Sequence, residues 1–169
     1  MSVKPLSTVE LKKKLPINTI LYKDLKNLRS LDDIIKPNGC ILLYQLHYPI
    51  GHFTTLFENK EGLNYFDPLG FIPDRLLKTN FDHPEGRESM GADFTYLNQL
   101  LLEFLNEHDY DKITFNEQKL QPINSNTCGY WCLTRLYFKD LTNDEFNDYF
   151  MSMPIKKREE KVVKFYNKL

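Results

Sequence analysis

The sequence predicts a single α+β domain in which a mostly antiparallel, mixed sheet packs on a central buried helix with flanking helices. Three short apolar runs have the length and density of strands: residues 40–48, 52–57 and 63–70. Two longer runs, 94–108 and 128–141, have apolar residues at helical spacing. The two kinds of pattern do not alternate regularly, which argues against a parallel βα architecture. The length of 169 residues fits one domain over 1–169.

The region before the first strand predicts two helices. The stretch STVELKKKL opens with Ser7 or Thr8 followed by Glu10, a pattern typical of a helix start. Residues 21–36 carry apolar side chains at helical spacing, and KPNG at 36–39 marks their end.

The second and third apolar runs predict a β-hairpin, because ENKEG at 58–62 has the composition of a turn. If Phe57 faces Gly62, His52 faces Asp67. Directly opposite residues of an antiparallel pair share one face of the sheet, so an imidazole and a carboxylate are expected side by side. A β-bulge would change this register.

The rest of the chain predicts a long loop and more helices. Residues 79–92, rich in Gly, Pro and charge, have the composition of a loop. Residues 128–141 are apolar on most of their helical circumference, which predicts a buried central helix. Further segments have weaker local patterns: an amphipathic helix at 94–108, a short strand at 112–118, and helices at 142–150 and 156–169.

Composition argues against several classes of function. The net charge of −1 gives no general attraction to nucleic acid or anionic membrane, and no apolar run is long enough to span a bilayer. The N-terminus lacks the apolar core of a signal peptide. The three cysteines, Cys40, Cys128 and Cys132, fit a reducing compartment, and a zinc site would need two of four scattered histidines. We therefore expect no metal and no cofactor.

Cys128 follows the polar loop LQPINSNT and opens the predicted central helix. Unpaired N–H groups and the helix dipole at that position favour the thiolate, the reactive form of cysteine. Gly129 adds no side chain beside the sulfur, so a substrate backbone could approach closely. Cys132, one turn further along, is interpreted as a core residue.

His52 and Asp67 supply what a cysteine nucleophile needs, namely a base and an acceptor that orients the base. Strand alternation turns Phe53 and Phe57 away from the His52 face, as expected of core residues. Taken singly, a strand histidine, an aspartate before proline and a cysteine are more often structural. Spacing and chemistry alone therefore leave both a Cys–His–Asp site and three separate structural roles open.

The blocks GHF, YFDPLG and LQPINSNTCGYWC, in this order, resemble the three signature blocks of the adenovirus maturation protease family, the adenains. They resemble more loosely those of the SUMO-specific and ubiquitin-like proteases. The match places His52 in the first block, Asp67 before Pro-x-Gly in the second, and Gln121 seven residues before Cys128 in the third. Asn124 also stands where that family often has Asn. Segments near ELKKKL, GCILLYQL and KITF extend the resemblance over nearly the whole chain.

The resemblance implies an adenain or ubiquitin-like protease type of fold and a cysteine endopeptidase. It makes Cys128 the nucleophile, His52 the group that holds and donates the proton, and Asp67 the group that fixes the imidazole tautomer. Gln121 and the backbone N–H of Cys128 are then expected to form the oxyanion hole. The family usually has Trp where Phe53 stands, and adenain has Glu at Asp67, where Asp is common among SUMO-specific relatives.

The implied substrates are viral capsid or other structural precursor proteins, cleaved near small residues and often after Gly. The short, Asn- and Lys-rich chain resembles the capsid-maturation proteases of virophages, which implies action in the virion or the host cytoplasm. Adenain is assisted by a disulfide-linked viral peptide and by DNA. Here EHDYDKITF has no cysteine for such a peptide, and the net charge of −1 does not favour a DNA activator.

Two other functions fit the same residues. A deSUMOylating or deubiquitinating isopeptidase would use the same triad, and a ubiquitin- or SUMO-fluorophore assay separates it from a capsid protease. A non-catalytic virion binding protein would not react with an electrophilic thiol probe. His47 is the next candidate for the base if His52 faces away from Cys128.

Overall fold

The computed structural model describes residues 3–47, 50–75 and 95–169, with the side chains of residues 46, 47 and 50 excepted. Within these ranges the strands are β1 Asn18–Leu21, β2 Cys40–His47, β3 Ile50–Asn59, β4 Gly62–Phe66 and β5 Thr114–Phe115. The helices are α1 Thr8–Lys14, α2 Asp32–Ile35, α3 Tyr96–His108, α4 Cys128–Tyr137, α5 Asn143–Met151 and α6 Ile155–Lys168. A 3-10 helix covers Tyr22–Asn27. None of the helices in the described ranges is long and apolar enough to cross a membrane.

The strands form one mixed sheet in the order β1-β2-β3-β4-β5. The central pairs β2–β3 and β3–β4 are antiparallel, whereas the outer pairs β1–β2 and β4–β5 are parallel. The predicted α+β class and the mixed, mostly antiparallel centre of the sheet are therefore confirmed.

Each face of the sheet carries its own apolar cluster, because side chains alternate along a strand. Leu42, Leu56 and Tyr65 belong to the cluster that includes the buried residues of α3. Phe53 and Phe57 belong to the other cluster, which contains α4. Every residue of α4 except its last is buried, as predicted for the central helix.

The prediction of one helix over residues 21–36 is wrong. Its first residue ends β1, a 3-10 helix follows, and Leu28 is extended with φ −80° and ψ 146° before α2 begins. The apolar residues that imitate a helical period, among them Leu25, Leu31 and Ile35, are buried from short, separate elements. The loop predicted at 79–92 lies outside the described residues.

The β3–β4 hairpin is confirmed, but its register differs from the expected one by two residues. Phe57 pairs with Asn64 rather than with Gly62, and Asn59 pairs with Gly62. The turn is therefore Lys60–Glu61, shorter than ENKEG, with Gly62 at φ +94°. A shift of two residues keeps every side chain on its predicted face.

Candidate active site

The site lies at the end of the sheet where β3 begins, β4 ends and α4 starts. His52 is the third residue of β3, Asp67 directly follows β4, and Cys128 is the first residue of α4. Antiparallel neighbours bring the start of one strand beside the end of the next, so His52 and Asp67 meet there. The three residues that the sequence singled out are thus brought together.

His52 and Asp67 are joined by a short buried hydrogen bond. Nε2 of His52 lies 2.8 Å from Oδ1 of Asp67. The side chains are diagonal neighbours, because Asp67 continues β4 beyond Phe66, which pairs with Thr55. The proximity predicted for this pair is therefore present, although not through the directly opposite register.

Hydrogen bonds hold both the backbone N–H and the backbone carbonyl of Asp67. Asn116, which directly follows β5, accepts the Asp67 backbone N–H at 2.9 Å and donates to the Asp67 carbonyl oxygen at 2.7 Å. The backbone N–H of Leu69 donates to Oδ1 of Asp67 at 2.7 Å. Sequence reasoning missed Asn116, and an isolated asparagine after a short strand carries no pattern that would have revealed it.

The imidazole of His52 also meets Cys128. His52 shares the strand parity of Leu56, which lies in the cluster with α3, yet Cys128 is near enough to influence the imidazole. Burial lowers the pKa of His52, but the charge and hydrogen bond of Asp67, followed by Cys128, raise it to about 10. The imidazolium is therefore the favoured form at neutral pH, and Nδ1 is the ring nitrogen that does not contact Asp67.

Cys128 lies at the N-terminus of α4 with 9% of its surface exposed. The N-cap residue, Thr127, makes no side-chain capping bond to the helix. Gly129 was expected to admit a substrate, but a Cβ there would lie 3.2 Å from Leu6 Cβ and 3.4 Å from Phe53 Cδ2. Its small size therefore serves the packing of the N-terminal segment and β3 against α4.

The other two cysteines are core residues. Cys40 and Cys132 have no exposed surface. Burial raises the pKa of Cys40 to about 12, and burial, followed by the charges of Cys128 and Asp67, raises the pKa of Cys132 well above its ordinary value. The interpretation of Cys132 as a core residue is confirmed.

Gln121 is buried beside the site, with 2% of its surface exposed. Its Nε2 donates to the Ser125 carbonyl oxygen at 2.8 Å, and its Oε1 has no hydrogen-bond partner within the described part of the chain. The second hydrogen of Nε2 has no acceptor within the described part of the chain. A solvated loop glutamine would not show this burial, whereas Asn124 is exposed.

The turn after Asp67 is tied directly to the loop that carries Gln121. The backbone N–H groups of Leu120 and Gln121 both donate to the Pro68 carbonyl oxygen at 3.0 Å. Gly70, at φ +73°, lets the turn approach the backbone of Gln118, because a Cβ there would lie 3.0 Å from that carbonyl carbon. The second and third sequence blocks are therefore held together through the backbone.

A cleft of about 1120 Å³ opens onto Cys128, His52 and Gln121. It is lined by the N-terminal segment 4–8, by Leu69 and Phe71, and by the loop 123–126. The charged Lys and Glu side chains described in the lining, Lys4 and Glu10, pair with each other at 3.0 Å. These two opposite charges therefore offset each other in the lining.

One group of potential metal ligands occurs among the described residues, away from this cleft. Asp32, Glu107 and His108 place ligand atoms within 4.8 Å of one another. Asp32 is already engaged by His108 Nε2 at 2.7 Å and by the Lys36 ammonium. These contacts describe a surface ion-pair cluster.

The fold and the site together define an α+β protein with a cysteine, a histidine and an aspartate assembled at one end of a mixed sheet. The chain is 34% identical over 134 residues to "Uncharacterized protein V9" of Sputnik virophage, a match that covers 77% of this chain and 73% of that protein. The chain therefore belongs to the family of this virophage protein. No protein-family model matches it.

Proposed function

We propose that this protein is a cysteine endopeptidase of the adenain type that cleaves viral structural precursor proteins, such as capsid proteins. The observation that carries the proposal is the His52 Nε2–Asp67 Oδ1 hydrogen bond of 2.8 Å, at a cleft that His52 and Cys128 both line. Membership in a virophage protein family supports a viral substrate. The order of the three sequence blocks along the chain supports the adenain-type fold.

The acylation step uses the imidazolium–thiolate pair. The Cys128 sulfur attacks the scissile carbonyl carbon, and the carbonyl π electrons move onto the oxygen. His52 then donates its Nδ1 proton to the amide nitrogen, the C–N bond breaks, and a thioester remains on Cys128. Asp67 accepts the Nε2–H throughout and keeps Nδ1 directed at the sulfur.

The negative oxygen of the tetrahedral intermediate needs donors. We assign this role to the backbone N–H of Cys128 and the side-chain amide of Gln121, since both residues line the cleft. Losing one such donor typically costs on the order of a hundredfold or more in rate. In deacylation, His52 takes a proton from water, and the hydroxide attacks the thioester carbonyl carbon. The tetrahedral intermediate collapses with cleavage of the C–S bond, which releases the carboxylic acid and restores the Cys128 thiolate beside the protonated His52.

The test is co-expression with candidate viral capsid precursors. The wild type should produce discrete fragments whose masses place the cut, and Cys128→Ala should leave the precursor intact. Fragments that appear equally with Cys128→Ala would refute the assignment. Cleavage of ubiquitin- or SUMO-fluorophore conjugates, with no cleavage of capsid precursors, would replace it with an isopeptidase.

A further inference from the structure

We propose that Glu159, on the C-terminal helix, is a positioning residue that sets the oxyanion hole from outside the cleft; this inference rests on the proposed function. Glu159 lies in α6 and is half-buried. Its Oε1 accepts hydrogen bonds from the hydroxyls of Ser125 and Thr127, the latter at 2.8 Å. Those hydroxyl oxygens lie 2.8 Å from each other. One carboxylate therefore holds two residues of the loop that ends at the nucleophile.

The contact of Glu159 with Ser125 acts on Gln121. Because Glu159 holds the Ser125 hydroxyl, it fixes the residue whose carbonyl oxygen accepts Gln121 Nε2 at 2.8 Å. If the Gln121 carboxamide flipped, two acceptor oxygens would face each other and the bond would be lost. The Ser125 carbonyl therefore requires the N–H end of Gln121 to lie where a donor is needed.

The contact of Glu159 with Thr127 acts on the start of α4. A threonine at an N-cap commonly accepts a first-turn N–H through its hydroxyl oxygen. Thr127 makes no such bond, and its hydroxyl donates to Glu159 instead. Thr127 therefore leaves the first-turn N–H groups of α4 without a side-chain cap, and under the proposed function this end of the helix stays open to the negative charge of the thiolate.

The experiment compares Glu159→Ala and Glu159→Gln with the neighbouring exposed control Glu160→Ala. Glu159→Ala should lower kcat about 10- to 100-fold with KM nearly unchanged, since a misplacement of about 1 Å can cost about 100-fold. Glu159→Gln keeps an acceptor oxygen and should recover most of kcat. Glu160→Ala should match the wild type. Thermal unfolding confirms that each variant is folded.

A second readout does not depend on activity. The Gln121 side-chain amide resonances, recorded by ¹⁵N NMR, should shift in Glu159→Ala and stay in place in Glu160→Ala. An unshifted Gln121 amide, or a shifted amide with wild-type kcat, overturns the positioning role. If the wild type cleaves no precursor, the proposed function fails by itself, and the Gln121 shift still decides whether Glu159 sets this side chain.

Discussion

His52 Nε2 lies 2.8 Å from Asp67 Oδ1, and the same carboxylate oxygen accepts the backbone N–H of Leu69 at 2.7 Å. This contact commits Nε2 to Asp67, and the proposed mechanism assigns proton exchange with Cys128 to Nδ1. Asp67 has no exposed surface and His52 only 8%, so their interaction is weakly screened by water.

Asp67→Asn should lower the pKa of His52. Burial lowers this pKa, and the Asp67 charge is the first of the effects that raise it to about 10. The amide keeps the shape of the side chain but removes the charge, so less opposes the lowering of the His52 pKa by burial. NMR titration of the imidazole ring measures the change. Asp33→Asn, at an exposed position in α2, is the charge-matched control, and an unaltered His52 titration in Asp67→Asn would contradict the assigned cause.

The stability of the protein should fall as pH rises through the titration of His52. In the unfolded chain a histidine has a pKa of about 6.5, whereas in the folded protein that of His52 is raised to about 10. Between these two pKa values, His52 binds a proton in the folded protein but not in the unfolded chain. The stabilisation from this proton is complete below the unfolded-state pKa and is lost as pH rises through the folded-state pKa. Urea unfolding of wild type and His52→Gln at several pH values measures it. A difference between the two proteins that stays constant with pH would exclude this linkage.

The strands and helices with long, regular patterns could be predicted from the sequence, whereas the short ones could not. β2, α3 and α4 bury continuous apolar faces, and local pattern is strong in such elements. β1 and the 3-10 helix over Tyr22–Asn27 depend on tertiary contacts. Asn18, for example, pairs with Cys40 in the sheet and donates through its side chain to the Ile34 carbonyl.

The site residues that have a local sequence signal could be predicted. Those that act through hydrogen bonds to residues far away in the sequence could not. A helix-start cysteine and a strand histidine have local signals, and the hairpin brings Asp67 near His52 in either register. Asn116 and Glu159 act on the site through hydrogen bonds to residues 49 and 32 or more positions away in sequence. No local spacing rule encodes such distances, so only the assembled fold identifies these residues.

Asn116→Ala should destabilise the protein by about 1–3 kcal/mol, because the buried Asp67 N–H would lose its acceptor. Asn116 is 1% exposed and also donates to the Gln118 carbonyl at 3.1 Å. Urea denaturation gives the free energy of unfolding. Asn106→Ala, at an exposed position of α3, should change it far less. Equal stability of the two variants would mean that Asn116 does not hold the Asp67 turn.

Iodoacetamide at mildly acidic pH should modify Cys128 before the other cysteines. Cys128 opens into the cleft beside the imidazolium, whereas Cys40 and Cys132 have no exposed surface and raised thiol pKa values. Peptide mapping by mass spectrometry identifies the alkylated site. In Cys128→Ser the folded protein should remain unlabelled. If Cys40 or Cys132 were labelled first, the assignment of Cys128 as the nucleophile would be contradicted.

Gln121→Ala should lower turnover by about a hundredfold while leaving substrate affinity and Cys128 alkylation nearly unchanged, because the donor acts on charge that exists only in the transition state. The side chain is 2% exposed and bonded to the Ser125 carbonyl, so its amide is held in place before the substrate arrives.

Gln118 supplies the matched control for this change. Its side chain is exposed in the loop after β5, three positions from Gln121, rather than at the end of that strand as the sequence predicted. Gln118→Ala removes the same carboxamide from the same loop without touching the cleft, so kcat on a peptide substrate should stay near the wild-type value. If both variants keep near-wild-type kcat, Gln121 makes no contribution to the oxyanion hole, and the chemistry rests on Cys128, His52 and Asp67 alone.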